Sequence, residues 1–204
     1  MSIDRSEGWD GIAEQFMTAR SGVGAGLVRS WARDHLPPSA TVVDVGCGSG
    51  VPIAQALVEE GFTVFGIDAS PRLIAAFRSR FPDAPSACEP AQDSAFFHRR
   101  FDAAVSVGLL FLLSADDQHK LLRRVADALE PGGRFLFSAP REPCEWPDAL
   151  TGRRSMSLGE RTYRRLLEAS GLCLIGCSVD EGENNYFDAV KPLVQTGATA
   201  GSLA

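Results

Sequence analysis

The chain has 204 residues, 45% of them apolar and 23% charged, a balance that suits one ordinary domain with a full core and excludes global disorder. A formal net charge of −6 and a pI near 5.1 weigh against nucleic acid as partner, because a phosphate backbone favours a basic face. The uncharged, largely apolar run Ala103 to Ala115 is too short to span a bilayer, and the opening Met-Ser-Ile-Asp-Arg-Ser-Glu has no apolar stretch of a signal peptide.

Trp9–Ala19 and Val23–His35 read as helices divided by Ser21-Gly22, and Pro37-Pro38 stops the second. Residues 1–38 are therefore expected to form an N-terminal helical lid segment ahead of the main domain, 39–191. Thr41–Val45 is the first strand: Val42 to Val45 is a β-branched run with one acid, Asp44, inside it, the mark of a buried parallel strand. Gly46, Gly48 and Gly50 follow at alternate positions, and Val51–Glu60 then has helical spacing closed by Gly61. A strand, a glycine turn and a helix start bring bare main chain close to a ligand. The spacing is Gly-x-Gly-x-Gly; a dinucleotide fingerprint needs a last glycine where Val51 stands, which speaks against a nicotinamide enzyme.

Thr63–Ile67 is the second strand and ends on Asp68. Ser70 then offers an N-cap with Pro71 at the first helical position, and Leu73, Ile74 and Phe77 make the buried stripe. Phe81-Pro82-Asp83 breaks that helix. Pro85–Glu89 is a short third strand, Asp102–Val107 the fourth, and Asp116–Leu129 an amphipathic helix. Glu130–Gly133 is a tight turn into a fifth strand, Arg134–Ser138. Residues 139–158 are the longest irregular segment. Gly159–Ser170 is helical, and Leu172–Val179 with Asn185–Val190 form an antiparallel hairpin around Gly182. Residues 192–204 are a small, polar tail expected to be mobile.

Alternating strands and helices point to an α/β fold: a doubly wound, mostly parallel seven-stranded sheet with helices on both faces and an antiparallel C-terminal hairpin. The five cysteines, Cys47, Cys88, Cys144, Cys173 and Cys177, have no zinc spacing, so no metal is expected. They read as free thiols in a reducing cytoplasm. Cys173 and Cys177, four apart on a strand, are expected on one face. Oligomeric state is not legible.

The stretch Val42-Val43-Asp44-Val45-Gly46-Cys47-Gly48-Ser49-Gly50 resembles the first motif of the class I S-adenosylmethionine-dependent methyltransferases. The order of elements over residues 40–190 is similar to that family's fold, whose seventh strand is antiparallel. The resemblance implies S-adenosylmethionine as cofactor, with S-adenosylhomocysteine as product. It places the methionine portion against the main chain of Gly46, Cys47 and Gly48, and its amino group near Asp44 and the Val107 carbonyl. Asp68, eighteen residues beyond Gly50, would accept from a ribose diol, an assignment that acids at the end of a second strand also support on their own. Phe65-Gly66-Ile67-Asp68-Ala69-Ser70 resembles the family's segment there, with Ala69 flanking the adenine.

Ala91 and Gln92 match the position that cups the adenine edge, but Pro90 stands where an acid is common, leaving Glu89 or Asp93 to substitute. Arg20 matches a position that folds over the cofactor carboxylate in some relatives. Methyl transfer needs alignment and exclusion of water more than a dedicated base. His35, His98 and His119 lie where no catalytic role is needed, and Gly108–Leu113 supplies an apolar wall where many relatives carry histidine, so the catalytic residue stays unknown.

Two segments could recognise an acceptor: the loop bearing Arg141, Trp146, Arg153 and Arg154, and the hairpin tip Asp180–Tyr186. No Asp/Asn-Pro-Pro-Tyr/Phe tetrapeptide follows the fourth strand, and Pro143-Cys144 is misplaced for a cytosine nucleophile, so a small-molecule acceptor is expected. The alternative is a protein that binds S-adenosylmethionine or S-adenosylhomocysteine without catalysis.

Overall fold

Apolar alternation along short strands dictates the architecture. The computed structural model of the chain describes residues 4–193, so the expected tail lies outside the described residues from 194 onward. The strands are β1 Thr41–Val45, β2 Thr63–Asp68, β3 Ser86–Cys88, β4 Phe101–Ser106, β5 Leu129–Ser138, β6 Cys144–Pro147, β7 Arg154–Ser157, β8 Cys173–Val179 and β9 Asn185–Val190. The helices are α1 Ala13–Ala19, α2 Ala25–His35, α3 Ile53–Glu59, α4 Pro71–Arg80, α5 Ala115–Ala128 and α6 Glu160–Ala169.

Seven strands pair in the order β3-β2-β1-β4-β5-β9-β8. β1 to β5 run parallel, and β9 is antiparallel to both β5 and β8. Successive residues of each central strand feed opposite cores. Val43, Val45, Phe135 and Phe137 pack on one face with Leu121, Val125 and Tyr163 of α5 and α6. Val42, Val105 and Leu136 pack on the other with Val28, Leu57 and Phe77 of α2, α3 and α4. Each fully buried Leu or Phe contributes about 1.5–3 kcal/mol, so both layers are firmly seated. Strand order reverses between β1 and β4, and a ligand crevice opens at the carboxyl ends of strands at such a point.

Local signals are met at α4, where Ser70 Oγ accepts from the Leu73 amide at 3.2 Å and Pro71 opens the helix. Elsewhere the expectation needs correction. The first helix begins at Ala13; Trp9–Ile12 is a run of turns. Residues 139–158 are not wholly irregular, because β6 and β7 pair there as a two-stranded hairpin. β5 starts at Leu129, and the expected turn survives within it as a register shift against β4. In β8 a bulge between Leu174 and Gly176 breaks the alternation, so Cys173 pairs with Val190 and Cys177 with Phe187. That odd spacing on the partner strand sets the two thiols on opposite faces. Among the described residues, no helix is long and apolar enough to cross a membrane.

Candidate functional site

The turn after β1 and the end of β2 are tied together by main-chain and carboxylate bonds. The amides of Gly46 and Cys47 both donate to the Ile67 carbonyl, at 2.8 and 3.0 Å. Asp68 Oδ2 accepts from the Gly48 amide at 2.8 Å, and its Oδ1 from the Ser70 amide at 2.9 Å. Gly46 and Gly48 have φ of +77° and +54°, a region that glycine enters without strain. A Cβ on Gly46 would stand 2.8 Å from Leu109 Cβ, and one on Gly48 would stand 3.2 Å from Phe16. The bare turn thus admits protein side chains over it as well as leaving main chain open to the crevice.

A cleft lies above this turn and holds roughly 850 Å³ of empty space, part of it open to solvent, within the ~300–1,000 Å³ range of small-molecule sites. Gly46, Gly48, Asp68 and Ala69 form its floor, and Pro90, Ala91 and Gln92 one end. Val107, Leu109, Leu112 and Leu113 form the wall after β4. Ser138 Oγ accepts from the Gly108 amide at 2.8 Å and holds that wall to β5. Arg5, Glu7, Trp9, Phe16 and Arg20 cover it from the N-terminal segment, with Trp9 and Phe16 in edge contact, centroids 5.4 Å apart.

Eight of the ten residues expected at a cofactor site line the cleft: Arg20, Gly46, Gly48, Asp68, Ala69, Ala91, Gln92 and Val107. Asp44 and Cys47 do not. The Cys47 side chain turns into the core and lies 2.9 Å from where a Cβ on Gly66 would stand, so only its main chain is left to meet a ligand. Asp44 is buried beneath the turn, 2% exposed, and its Oδ2 has no hydrogen-bond partner among the described residues. Burial pushes its carboxyl up to about 7; the Arg20 guanidinium opposes that rise and the Asp68 carboxylate adds to it. Burial also raises Asp68, against the Ser70 and Gly48 amides that favour its charged form.

Glu89 and Asp93 do not line the cleft. Asp93 instead pairs with Lys120 and Arg5, so the adenine-edge acid expected after β3 is not replaced by either. His35, His98 and His119 are also absent from the lining. At the hairpin tip, Asp180 is spent on structure: it accepts from Gly182, Asn184 and the Tyr186 hydroxyl. Burial opposes its ionisation, yet the Asn184, Gly182 and Tyr186 donors outweigh it and hold its carboxyl below its usual range. Arg141 pairs with Glu160 and Arg154 with Glu145, whereas Arg153 reaches Glu7 over the cleft.

The sequence placed residues 1–38 in a helical lid segment but did not show that residues 4–10 form a strap of turns. Asp4 accepts from the Ser6 and Gly8 amides and presents the turn between them. Asp10 Oδ1 accepts from Ser70 Oγ at 2.7 Å and from the Arg72 amide at 2.8 Å. Arg5 meets Asp93, and Glu7 meets Arg153. The bonds of Asp10, Arg5 and Glu7 each span sixty or more positions, so no local pattern carries them.

The pattern that defines the family described as methyltransferase domain matches residues 19–175. A cypemycin N-terminal methyltransferase from Streptomyces is 35% identical over 138 residues, 66% of this chain and 55% of that protein. The chain spans about half the length of the curated relatives it matches. Among solved structures, a Burkholderia thailandensis 1,6-didemethyltoxoflavin-N1-methyltransferase, crystallised with S-adenosylhomocysteine, superimposes with a TM-score of 0.71 at 20% identity, covering 90% of this chain and 84% of that one. A glycopeptide N-methyltransferase complexed with S-adenosylhomocysteine gives 0.69 at 20% identity, covering 88% and 96%. Both share the doubly wound sheet found here.

Proposed function

The chain belongs to the methyltransferase-domain family, and from that premise we propose that it transfers a methyl group from S-adenosylmethionine to a small-molecule acceptor. The observation that carries the reading is Asp44: a buried carboxylate oxygen without a partner, directly beneath a glycine turn that opens into the cleft. Such an orphan costs free energy unless a cation meets it, and the free amino group of S-adenosylmethionine is one. The donor set along the cleft fits the rest of that molecule in order.

Arg20 would hold the carboxylate of the methionine portion, and the main chain of Gly46, Cys47 and Gly48 would pack along it. The Val107 carbonyl offers a second acceptor for the amino group. Asp68 keeps lone pairs on both oxygens after serving two amides, enough for a ribose diol. Ala69, Ala91 and Leu73 make an apolar slot for adenine, with the Gln92 amide in place of the missing acid. The cofactor supplies an electrophilic methyl on a sulfonium. The protein's part is to exclude water with Phe16, Leu109 and Trp9 and to hold an acceptor in line.

Relatives support a nitrogen acceptor: the Streptomyces protein and both solved structures carry N-methylating names. The test is titration of the purified chain with S-adenosylhomocysteine and with NADH, followed by transfer of a radiolabelled methyl to a metabolite pool. Micromolar binding of the first alone, with label moving to a small molecule, is the expected result. NADH binding, or tight S-adenosylhomocysteine binding with no transfer to any acceptor, would contradict it.

A further inference from the structure

We infer that Glu7 is the acceptor-recognition residue and that it selects an amine carried on an apolar body. The inference rests on the reading above and deepens it. Among the described residues, four charged ones line the cleft: Arg5, Glu7, Arg20 and Asp68. Asp68 already accepts two main-chain amides, and Arg5 is paired with Asp93. Arg20 lies close enough to Asp44 to lower its pKa. Glu7 is the remaining carboxylate, and its ion-pair partner, Arg153, stands outside the lining.

Its placement is built. Glu7 sits at φ +55°, and the amides on either side of it, Ser6 and Gly8, both donate to Asp4 at 2.9 Å. Arg153 of the turn between β6 and β7 meets Glu7 through Oε2, at 3.0 Å, with both side chains about half exposed. Trp9 lines the same cleft and supplies an aromatic face, which favours a cation. Leu109, Leu112 and Phe16 make the remaining surface apolar, which suits a hydrocarbon or aromatic body behind the amine.

The chemistry calls for such a group. The lone pair of a neutral amine forms the N–C bond as the S–C bond breaks, and that bonding pair stays on sulfur. The positive charge moves from sulfur to nitrogen, and the new ammonium then gives a proton to water. A fixed carboxylate near the nitrogen stabilises the charge where it arrives, so it favours the transition state over the neutral amine. No oxidant or further reactant is needed.

The experiment uses the full chain loaded with S-adenosylhomocysteine and three matched probes: phenethylamine, 2-phenylethanol and phenylacetate. Calorimetric titration should show the amine bound at least about tenfold more tightly than either analogue, the range of a charge-assisted contact. Glu7→Gln should bring the three probes together. Arg153→Gln breaks the same ion pair but should keep, or raise, the preference for the amine. That contrast separates recognition from bracing: equal loss in both variants assigns Glu7 to the strap alone and overturns the inference. Absence of any preference for phenethylamine in the wild type, including failure of all three probes to bind, overturns it as well. If S-adenosylhomocysteine itself does not bind, the cofactor reading fails first and is recognised separately.

Discussion

The Gly48 amide donates a 2.8 Å hydrogen bond to Asp68 Oδ2, so the glycine turn after β1 and the acid closing β2 form one rigid floor. Asp68 thus both shapes the turn and faces the cleft. Asp68→Ala removes the acceptor for two amides and the proposed ribose partner together. Binding of S-adenosylhomocysteine should weaken by about 1–3 kcal/mol, with a fall in melting temperature. Asp68→Asn keeps one acceptor oxygen and should fall between. Calorimetric titration beside a thermal melt checks both, and unchanged affinity in Asp68→Ala would remove the residue from the site.

Asp44 makes the site sensitive to pH. Its folded-state pKa, raised to about 7 by burial with Asp68 adding to it and Arg20 opposing, lies above the unfolded value of about 3.9. The folded protein therefore holds the extra proton, and this group's contribution to stability falls as pH rises from about 4 to 7, then levels. A bound ammonium needs the carboxylate, so binding below pH 7 releases a proton, and affinity climbs with pH by up to about tenfold per unit before its plateau. Titration at pH 6 in buffers of different ionisation enthalpy measures that release. Asp44→Asn should abolish it and flatten the pH dependence.

The strap is held to α4 by Asp10, whose Oδ1 takes the Ser70 hydroxyl and the Arg72 amide. The carboxylate sits at the positive end of a ten-residue helix, where it is stabilising. Asp10→Ala should cost about 0.5–2 kcal/mol and lower the melting temperature by roughly 2–8 °C. Stopped-flow displacement should show S-adenosylhomocysteine leaving faster, with entry little changed. An unaltered off-rate would mean that the strap does not gate the cleft.

A buried network supports the cleft wall from behind. Gln118, fully buried, donates to the Leu113 and Met156 carbonyls at 3.0 and 3.1 Å and accepts from the Tyr163 hydroxyl at 2.9 Å. Gln118→Leu strands these partners and should destabilise by about 2 kcal/mol or more. Tyr163→Phe should cost less. Equilibrium urea unfolding at constant m-value measures both.

The seven strands, the reversal at β1 and the cap at Ser70 were legible because each depends on near neighbours: alternation along Val42–Val45, glycines at set positions, serine before proline. β6 and β7 were not legible. Pro143, Pro147 and Gly152 read as breakers, and the hairpin forms through contacts the local pattern omits, the Trp146 ring on Phe111 and the Arg154–Glu145 pair. The site divides the same way. Spacing singled out Asp68, Gly46 and Gly48, which line the cleft, whereas Glu7 and Asp10 meet partners far along the chain. The inward turn of Cys47 was equally hidden, since a tight turn abandons the alternation that would have predicted its direction.

The most direct measurement is a crystal structure of the chain grown with S-adenosylhomocysteine. The account predicts the ribose hydroxyls within hydrogen-bonding reach of Asp68 and the amino group against Asp44 Oδ2, under a strap that still covers the cleft. A nucleoside bound elsewhere, or one whose sugar faces away from Asp68 while Asp44 stays unpaired, would contradict it.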